Sequence, residues 1–473
     1  MMDRKSGVLL PIFSLPGPYG CGTFSREAKE VIDCFAACGF RLWQVLPFGV
    51  TDSYHSPYMS LSSFGGNPYF ISPDTLYEKG LVTKEELLSQ RVEDPYLCDY
   101  AFLEKNRLPF LKKAASRVKD RGKIDAFLAE NPLVAKTCLF FALKEKNGGQ
   151  PWTKWKDLTP DEDALFAWQF IQYEFHTQWE EIHAYALEKG ISMIGDLPFY
   201  VSHDSFDVWS APEDFLLNED FSPKKVAGVP PDYFSPDGQM WGNPLYRWDK
   251  MEKDGFSLWK ERLSYQLTLF DGIRIDHFRA LSAYFAIPAD AESAKEGEWV
   301  EGPGKAFIDA IAPLTKEKMI LAEDLGTIDR KVVDLLSYAG YPGMAVFQFG
   351  FDGDPLSPHL PHNFKENQVA YSGTHDNNTL LGFYFEESED VRNTAKEYLG
   401  ASSDLVKETL RALFRSKAGS VIFPLQDLLF YGADTRINTP GKAQGNWQCR
   451  FTKEQILSLD AKTYAGWNRM FAR

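Results

Sequence analysis

The sequence predicts a parallel (β/α)8 TIM barrel with inserted helical and loop segments, and three observations carry that prediction. Short runs rich in β-branched and aromatic residues recur eight times, each ending in polar or Gly-Pro punctuation. Helix-period stretches lie between them, such as REAKEVIDCFAACG before the first run and DRKVVDLLSYAG after the fifth, closed by a glycine where a C-cap belongs. No low-complexity linker divides the 473 residues, so strand and helix alternate within one decorated barrel rather than in separate beads.

Taken in order, the runs are RLWQVLPF from Arg41, NPYFIS from Asn67, ISMIGDLPF from Ile191, DGIRIDHF from Asp271, MILAEDLG from Met319, GMAVFQFG from Gly343, QVAYSGTHD from Gln368 and SVIFPLQDLL from Ser420. Their spacing is uneven, and the excess marks insertions. Residues 73–190 read as several helices, which predicts a helical insertion between strands 2 and 3. Residues 201–254 have little periodicity and are rich in Pro, Gly and aromatics; in a compact fold that marks an insertion with a cleft-covering loop between strands 3 and 4. The N-terminal MMDRKSGVLLPIFSLP holds only a short apolar run broken by Pro11 and does not enter the count.

Composition narrows the partners. Lys and Arg total 51 against 66 Asp and Glu, a net charge of −15 with no basic block to offset it, which argues against nucleic acid and anionic membranes. Aromatics reach 15%, a load that suits a cleft stacking on flat ligand faces such as sugars. The six cysteines form no CxxC pair and read as reduced thiols. Nowhere do 18 uninterrupted apolar residues occur, so a cytoplasmic address is expected. There is no HxH or HExxH spacing, P-loop, GxSxG elbow or complete dinucleotide fingerprint, and neither metal nor cofactor is expected.

Barrel enzymes place catalytic groups at the C-terminal ends of strands, and here those positions are acidic: Asp196, Asp276, Glu323 with Asp324, and Asp376. Helix capping is the alternative use at each position. In DGIRIDHF the period of two puts Ile273 and Ile275 on one face and Arg274 with Asp276 on the other, the barrel interior. A guanidinium there favours an ionised carboxylate, which fits either a nucleophile or an ion pair plugging the barrel. Glu323 and Asp324 point to opposite sides, so only one can face the mouth. In YSGTHDNNT a Gly-centred turn delivers His375 and Asp376 side by side, with Asp376 as a helix N-cap the other reading. Two carboxyl groups flanking a scissile bond are the apparatus of glycoside chemistry, roughly 5 Å apart in the retaining route.

The motifs DGIRIDHFR, ILAEDLG and SGTHDNNT, in that order, resemble the fourth, fifth and seventh strand motifs of the 4-alpha-glucanotransferases of glycoside hydrolase family 77, in the α-amylase clan. LWQVLPFG, SPYMSLSSFGGNPYFI, IGDLPFYVSHDSFDVW, GVPPDYFSPDGQMWGNPLYRW and NTPGKAQGNW are also similar to family segments in family order. The GVPPDYFSPDGQMWGNP loop is the most specific, since general α-amylases lack it. The resemblance implies Asp276 as nucleophile, Glu323 as acid/base and Asp376 as the transition-state-stabilising carboxylate. It implies sugar contacts for Arg274, His375, Asp196, Ser56, Tyr58, Gln239, Trp241 and Asn446, and an aromatic loop tip over the cleft at Tyr233 and Phe234. Tyr54 falls where some members have a second glucan site. One departure is visible: NWQCR carries Cys449 where members often have a second tryptophan.

The expected partners are therefore α-1,4-glucans and maltooligosaccharides, and the expected reaction is transfer by retaining double displacement. A retaining α-glucan hydrolase of the same clan shares the three carboxylates and is the first alternative. A non-catalytic glucan-binding barrel is the second, because fold alone does not set function.

Overall fold

A computed structural model describes residues 4–231, 236–400, 404–442 and 444–473. Eight parallel strands form one sheet: β1 (Lys5–Leu9), β2 (Leu42–Gln44), β3 (Ser192–Leu197), β6 (Gly272–Ile275), β9 (Met319–Ala322), β10 (Gly343–Val346), β11 (Gln368–Tyr371) and β12 (Ser420–Pro424). β1 pairs with β12 on one side and β2 on the other, in the registers Lys5↔Ser420 and Gly7↔Leu42. Parallel pairing continues through β3 and β6 to β9, and from β10 through β11 to β12. Among the described residues β9 and β10 share no ladder and meet only at a seam, where Ala322 N–H donates to Pro342 O at 3.0 Å. The sheet is a (β/α)8 barrel, nearly closed.

Alternation builds two layers of core. Leu9, Leu42, Ile194, Leu321, Met344, Val346, Val369, Tyr371 and Ile422 pack together inside the barrel. Val8, Trp43, Ile273, Ile275, Ala370 and Val421 face outward into the larger core beneath the helices.

One expected strand is a turn, and one strand lies where none was expected. The apolar run at Lys5–Leu9 is the first barrel strand, while NPYFIS contains a 3-10 turn, Pro68–Phe70, and no strand. The reason is local chemistry. Pro68 lacks the N–H that a ladder needs and suits a first helical position, and Asn67 caps the turn by accepting Tyr69 N–H at 2.9 Å. The carbonyls of Tyr69 and Phe70 are then taken by the Arg107 guanidinium and the Phe24 N–H.

The helix α1 (Arg26–Ala37) buries Ala28, Val31, Ile32 and Phe35 on one face and precedes β2. Between β2 and β3 run α2 (Pro73–Glu78), α3 (Lys84–Leu88), α4 (Tyr100–Ala115), α5 (Gly122–Glu130), α6 (Pro132–Lys146) and α7 (Glu162–Glu188). The long α7 starts on an Asp161 cap and leads through Gly190, at φ 77, into β3. Among the described residues no single helix is long and apolar enough to cross a membrane. The pair α5 and α6 passes that test only when joined, and it bends by 110°.

After β3, the strands β4 (Lys225–Val229) and β5 (Gln239–Pro244) form an antiparallel hairpin. It joins β7 (Ala283–Pro288) and β8 (Glu298–Glu301), which follow β6, in a four-stranded sheet of order β5-β4-β7-β8. The hairpin segment thus sits on material inserted after the next barrel strand, beside the C-terminal mouth.

Candidate active site

β3, β6 and β9 end side by side and deliver the acidic cluster. Asp196 of β3 lies opposite Arg274 of β6. Arg274 is buried, and its Nη1 donates to both Asp196 oxygens at 2.8 Å. Its Nη2 stands 2.9 Å from Asp276 Oδ1. The Tyr58 hydroxyl donates to Asp196 Oδ2 at 2.7 Å. The two readings left open for Arg274 are divided between two carboxylates. Asp196 is the fully buried half of a plug, whereas the Asp276 side chain remains 28% exposed to the cleft.

Glu323 closes β9. Its main chain is tied to the β6 side, where Glu323 N–H donates to Ile275 O and Phe278 N–H donates to Glu323 O, both at 3.0 Å. Its carboxyl accepts His277 N–H at 2.8 Å on Oε2 and Leu325 N–H at 2.9 Å on Oε1. Burial pushes its pKa up, the Arg274 guanidinium opposes, the Asp276 charge adds to the rise, and the balance is about 7. Asp324 points the other way, into the seam, and accepts Met344 N–H at 2.6 Å. Spacing could not choose between the two; here Glu323 is the one beside Arg274 and Asp276.

Asp376 arrives on the loop after β11. Asn377 Oδ1 folds that loop by accepting the Thr374 N–H and hydroxyl, both at 2.9 Å. The N-cap of the next helix, Leu380–Glu386, is Thr379, so Asp376 is free of the capping role. His375 Nε2 lies 3.3 Å from Asp376 Oδ2, and Asn438 Nδ2 donates to Oδ1 at 2.6 Å. Desolvation among the cleft walls would raise the pKa of Asp376, whose side chain is 47% exposed, but the His375 charge and these hydrogen bonds hold it at about 2. Burial pulls His375 down in turn, yet the Asp376 charge wins and raises it. The Tyr58 ring stacks on His375 with centroids 5.1 Å apart.

The other sequence-derived positions fall around this cluster unevenly. Gln239 and Trp241 lie on β5, where Trp241 Nε1 donates to Gln239 Oε1 at 3.2 Å and the indole meets the His277 ring edge-on at 5.1 Å. Ser56 is half-buried, two residues before Tyr58, while Tyr54 is 66% exposed on the surface. Asn446 spends its amide on the chain beside it: Oδ1 accepts Thr439 N–H at 2.9 Å and Nδ2 donates to Lys442 O at 2.7 Å. Cys449 is buried, and its carbonyl accepts the Ser14 hydroxyl at 2.6 Å. Tyr233 and Phe234 lie outside the described residues. Among the described residues no three His, Cys, Asp or Glu side chains converge as metal ligands would.

Sequence reasoning missed His277, Arg436 and Asn438. His277 directly follows Asp276, is held at φ 49, and its ring stands among Tyr200, Trp241 and Phe199. Burial lowers its pKa to about 3, leaving a neutral imidazole in the cleft. Arg436 Nη2 donates to Asp376 O at 2.6 Å, and Asn438 N–H donates to His375 O at 3.1 Å. The signal for Asn438 was present, since it opens the NTPGKAQGNW segment. Chemically, the mouth offers a carboxylate next to a guanidinium, a carboxyl that exchanges its proton near neutrality, and a carboxylate held ionised, which together suit attack on an acetal.

Known proteins match this architecture closely. Residues 10–456 match the glycoside hydrolase family 77, 4-alpha-glucanotransferase. A 4-alpha-glucanotransferase of Thermus thermophilus is 41% identical, covering 96% of each chain. One from Clostridium butyricum is 39% identical over 94% of this chain and 96% of its own. The structure of an amylomaltase from Streptococcus agalactiae in complex with acarbose superposes with a TM-score of 0.95 at 36% identity, covering both chains completely.

Proposed function

The chain belongs to the 4-alpha-glucanotransferases of glycoside hydrolase family 77, and on that premise we propose which residues carry each step. It is an enzyme that moves α-1,4-glucan segments from a donor maltooligosaccharide to the 4-hydroxyl of an acceptor glucan or glucose. Asp276 attacks the anomeric carbon while Glu323 gives its proton to the glycosidic oxygen, so the aglycone leaves as an alcohol and a glycosyl-enzyme remains. The acceptor hydroxyl then loses its proton to Glu323 as its oxygen displaces Asp276. Two inversions give net retention. The observation that carries this reading is the shared guanidinium: Arg274 donates to both Asp196 oxygens and still reaches Asp276 at 2.9 Å, beside a Glu323 with pKa about 7.

Asp376 stabilises the oxocarbenium-like transition state through the sugar hydroxyls, supported by its ionised state and its His375 and Asn438 partners. Tyr58 and His375 line the subsite of the transferred sugar, with Arg274 and Asp196 behind them, and Ser56 adds a hydroxyl beside Tyr58. Gln239, Trp241 and Asn446 contact the glucan further along the cleft. Tyr233 and Phe234, which fall between β4 and β5 in sequence, are assigned to covering the acceptor and keeping water from the glycosyl-enzyme. Tyr54 offers an exposed ring to a second glucan chain. The six cysteines, none of them paired, suit a reducing cytoplasmic setting.

The test is incubation with maltotriose. A transferase yields glucose and longer oligomers at nearly constant total reducing ends, and Asp276→Asn yields neither while keeping its fold. Rising reducing ends without longer products would favour the hydrolase reading. Wild-type turnover by Asp276→Asn would remove the nucleophile assignment.

A further inference from the structure

The loop bearing His375 and Asp376 leaves β11 at Ser372 and rejoins regular structure at Leu380, the first residue of the helix Leu380–Glu386. Both ends of that loop meet one side chain from the neighbouring strand's end. Asp427, in the short helix Leu425–Leu428 after β12, is 1% exposed. Its Oδ2 accepts the Ser372 hydroxyl and its Oδ1 accepts Leu380 N–H at 2.6 Å. Both partners are neutral, and burial pushes the carboxyl up to about 6, so this is an expensive group to keep for stability alone. The chain that continues from Asp427 also returns to the same loop. Arg436 donates to the Asp376 carbonyl at 2.6 Å and Asn438 donates to the Asp376 carboxylate at 2.6 Å.

We infer that Asp427 is a positioning residue for glucan transfer: by tying both ends of the 372–380 loop to the end of β12, it fixes where Asp376 stands against the reacting sugar. The inference rests on the reading of Asp376 as the transition-state-stabilising carboxylate. Asp427 touches no substrate. Its effect passes through geometry, because a charge that serves only the transition state loses its value steeply when displaced. The segment from Asp427 to Asn438 and the catalytic loop then behave as one braced unit, gripped at the base by a carboxylate and at the tip by a guanidinium and an amide.

The experiment compares Asp427→Ala, Asp427→Asn, Ser372→Ala and Asp376→Asn on maltotriose, with acarbose as an inhibitor resembling the flattened, cationic transition state. For Asp427→Ala, kcat/KM should fall about 100-fold and the acarbose Ki rise in proportion, with KM within about twofold. Asp427→Asn should recover about tenfold of that loss, since its amide oxygen accepts Leu380 N–H and its amide nitrogen donates to the Ser372 oxygen. A merely structural role would reduce the amount of active enzyme, lowering kcat while leaving Ki and KM unchanged, and that outcome overturns the inference. So does wild-type kcat/KM in a folded Asp427→Ala. Should Asp427→Ala fail to fold, Ser372→Ala decides: about a tenfold loss with a matching rise in Ki is expected, and wild-type values overturn the inference. Asp376→Asn separates the two layers. If it retains wild-type turnover, the reading of Asp376 fails and the inference falls with it. If it is inactive while the Asp427 and Ser372 variants keep wild-type Ki, the inference alone fails.

Discussion

Arg274 shows how one cation sets unequal states on its neighbours. It gives two hydrogen bonds to Asp196 and one contact to Asp276, and its positive charge partly offsets the forces that raise Glu323. The Glu323 pKa of about 7 lies above its ordinary carboxylate value, so the acid form that the proposed leaving-group protonation requires is present below neutrality and lost above it. The rate of glycosyl-enzyme formation should therefore decline as pH rises through about 7, measurable by rapid-quench assays across pH. The Asp276 charge contributes to that rise. In Asp276→Asn the Glu323 titration should move down towards the ordinary range, and infrared difference spectra of the carboxyl band read this without turnover. An unmoved titration would contradict the coupling.

At the scale of elements, the seam between β9 and β10 and the hairpin β4–β5 do work that no single residue explains. With no ladder across the seam, the Asp324 carboxylate supplies the bond to Met344 N–H that a strand neighbour would have given. It fits only because residue 343 is glycine: a Cβ there would lie 2.5 Å from Asp324 Oδ2. Gly343→Ala should cost about 1–3 kcal/mol by forcing the strands apart, read as a lower urea midpoint. A midpoint equal to wild type would mean that the seam opens freely. The hairpin places Trp241, with Gln239 bonded to it, beside His277, and Tyr233 and Phe234 fall between its strands in sequence. Replacing both rings with Ala should slow transfer and enlarge the hydrolysed fraction while the carboxylate chemistry survives. An unchanged ratio of hydrolysis to transfer with a lower melting temperature would assign those rings to packing.

Across the whole molecule, α4 is tied to the loops that follow β1 and β2 by a buried cation that, among the described residues, has no carboxylate partner. Arg107 on α4 is wholly buried and donates to the carbonyls of Tyr19 at 2.8 Å, Tyr69 at 2.9 Å and Ile71 at 3.3 Å. Arg107→Ala strands the Tyr19 and Ile71 carbonyls, leaves Tyr69 O only the Cys21 thiol, and should lose about 3 kcal/mol or more of stability with near-normal turnover in the protein that remains folded. A large loss of turnover at unchanged stability would instead tie this clamp to the site. That clamp also explains the main misreading of the fold. NPYFIS has strand-like composition, but its carbonyls are claimed by Arg107 and Phe24, residues far from it in sequence. The first strand was obscured for the converse reason: Lys5–Leu9 becomes a strand by pairing with Ser420–Pro424, more than 400 residues away. What the chain alone determined were the local regularities: strand-end carboxylates, the inward face of Arg274 with Asp276, and an ordered motif set pointing to a glucan-transferring barrel. The carboxylates and the inward face follow from period and neighbour identity, whereas the motif set points to glucan transfer by its resemblance to family segments. Tertiary structure decided which of Glu323 and Asp324 faces the mouth, that Thr379 and not Asp376 caps the helix Leu380–Glu386, and that Arg436, Asn438 and Asp427 grip the 372–380 loop. Each depends on barrel closure, which brings separate strand ends within hydrogen-bond reach, a long-range outcome that no local spacing encodes.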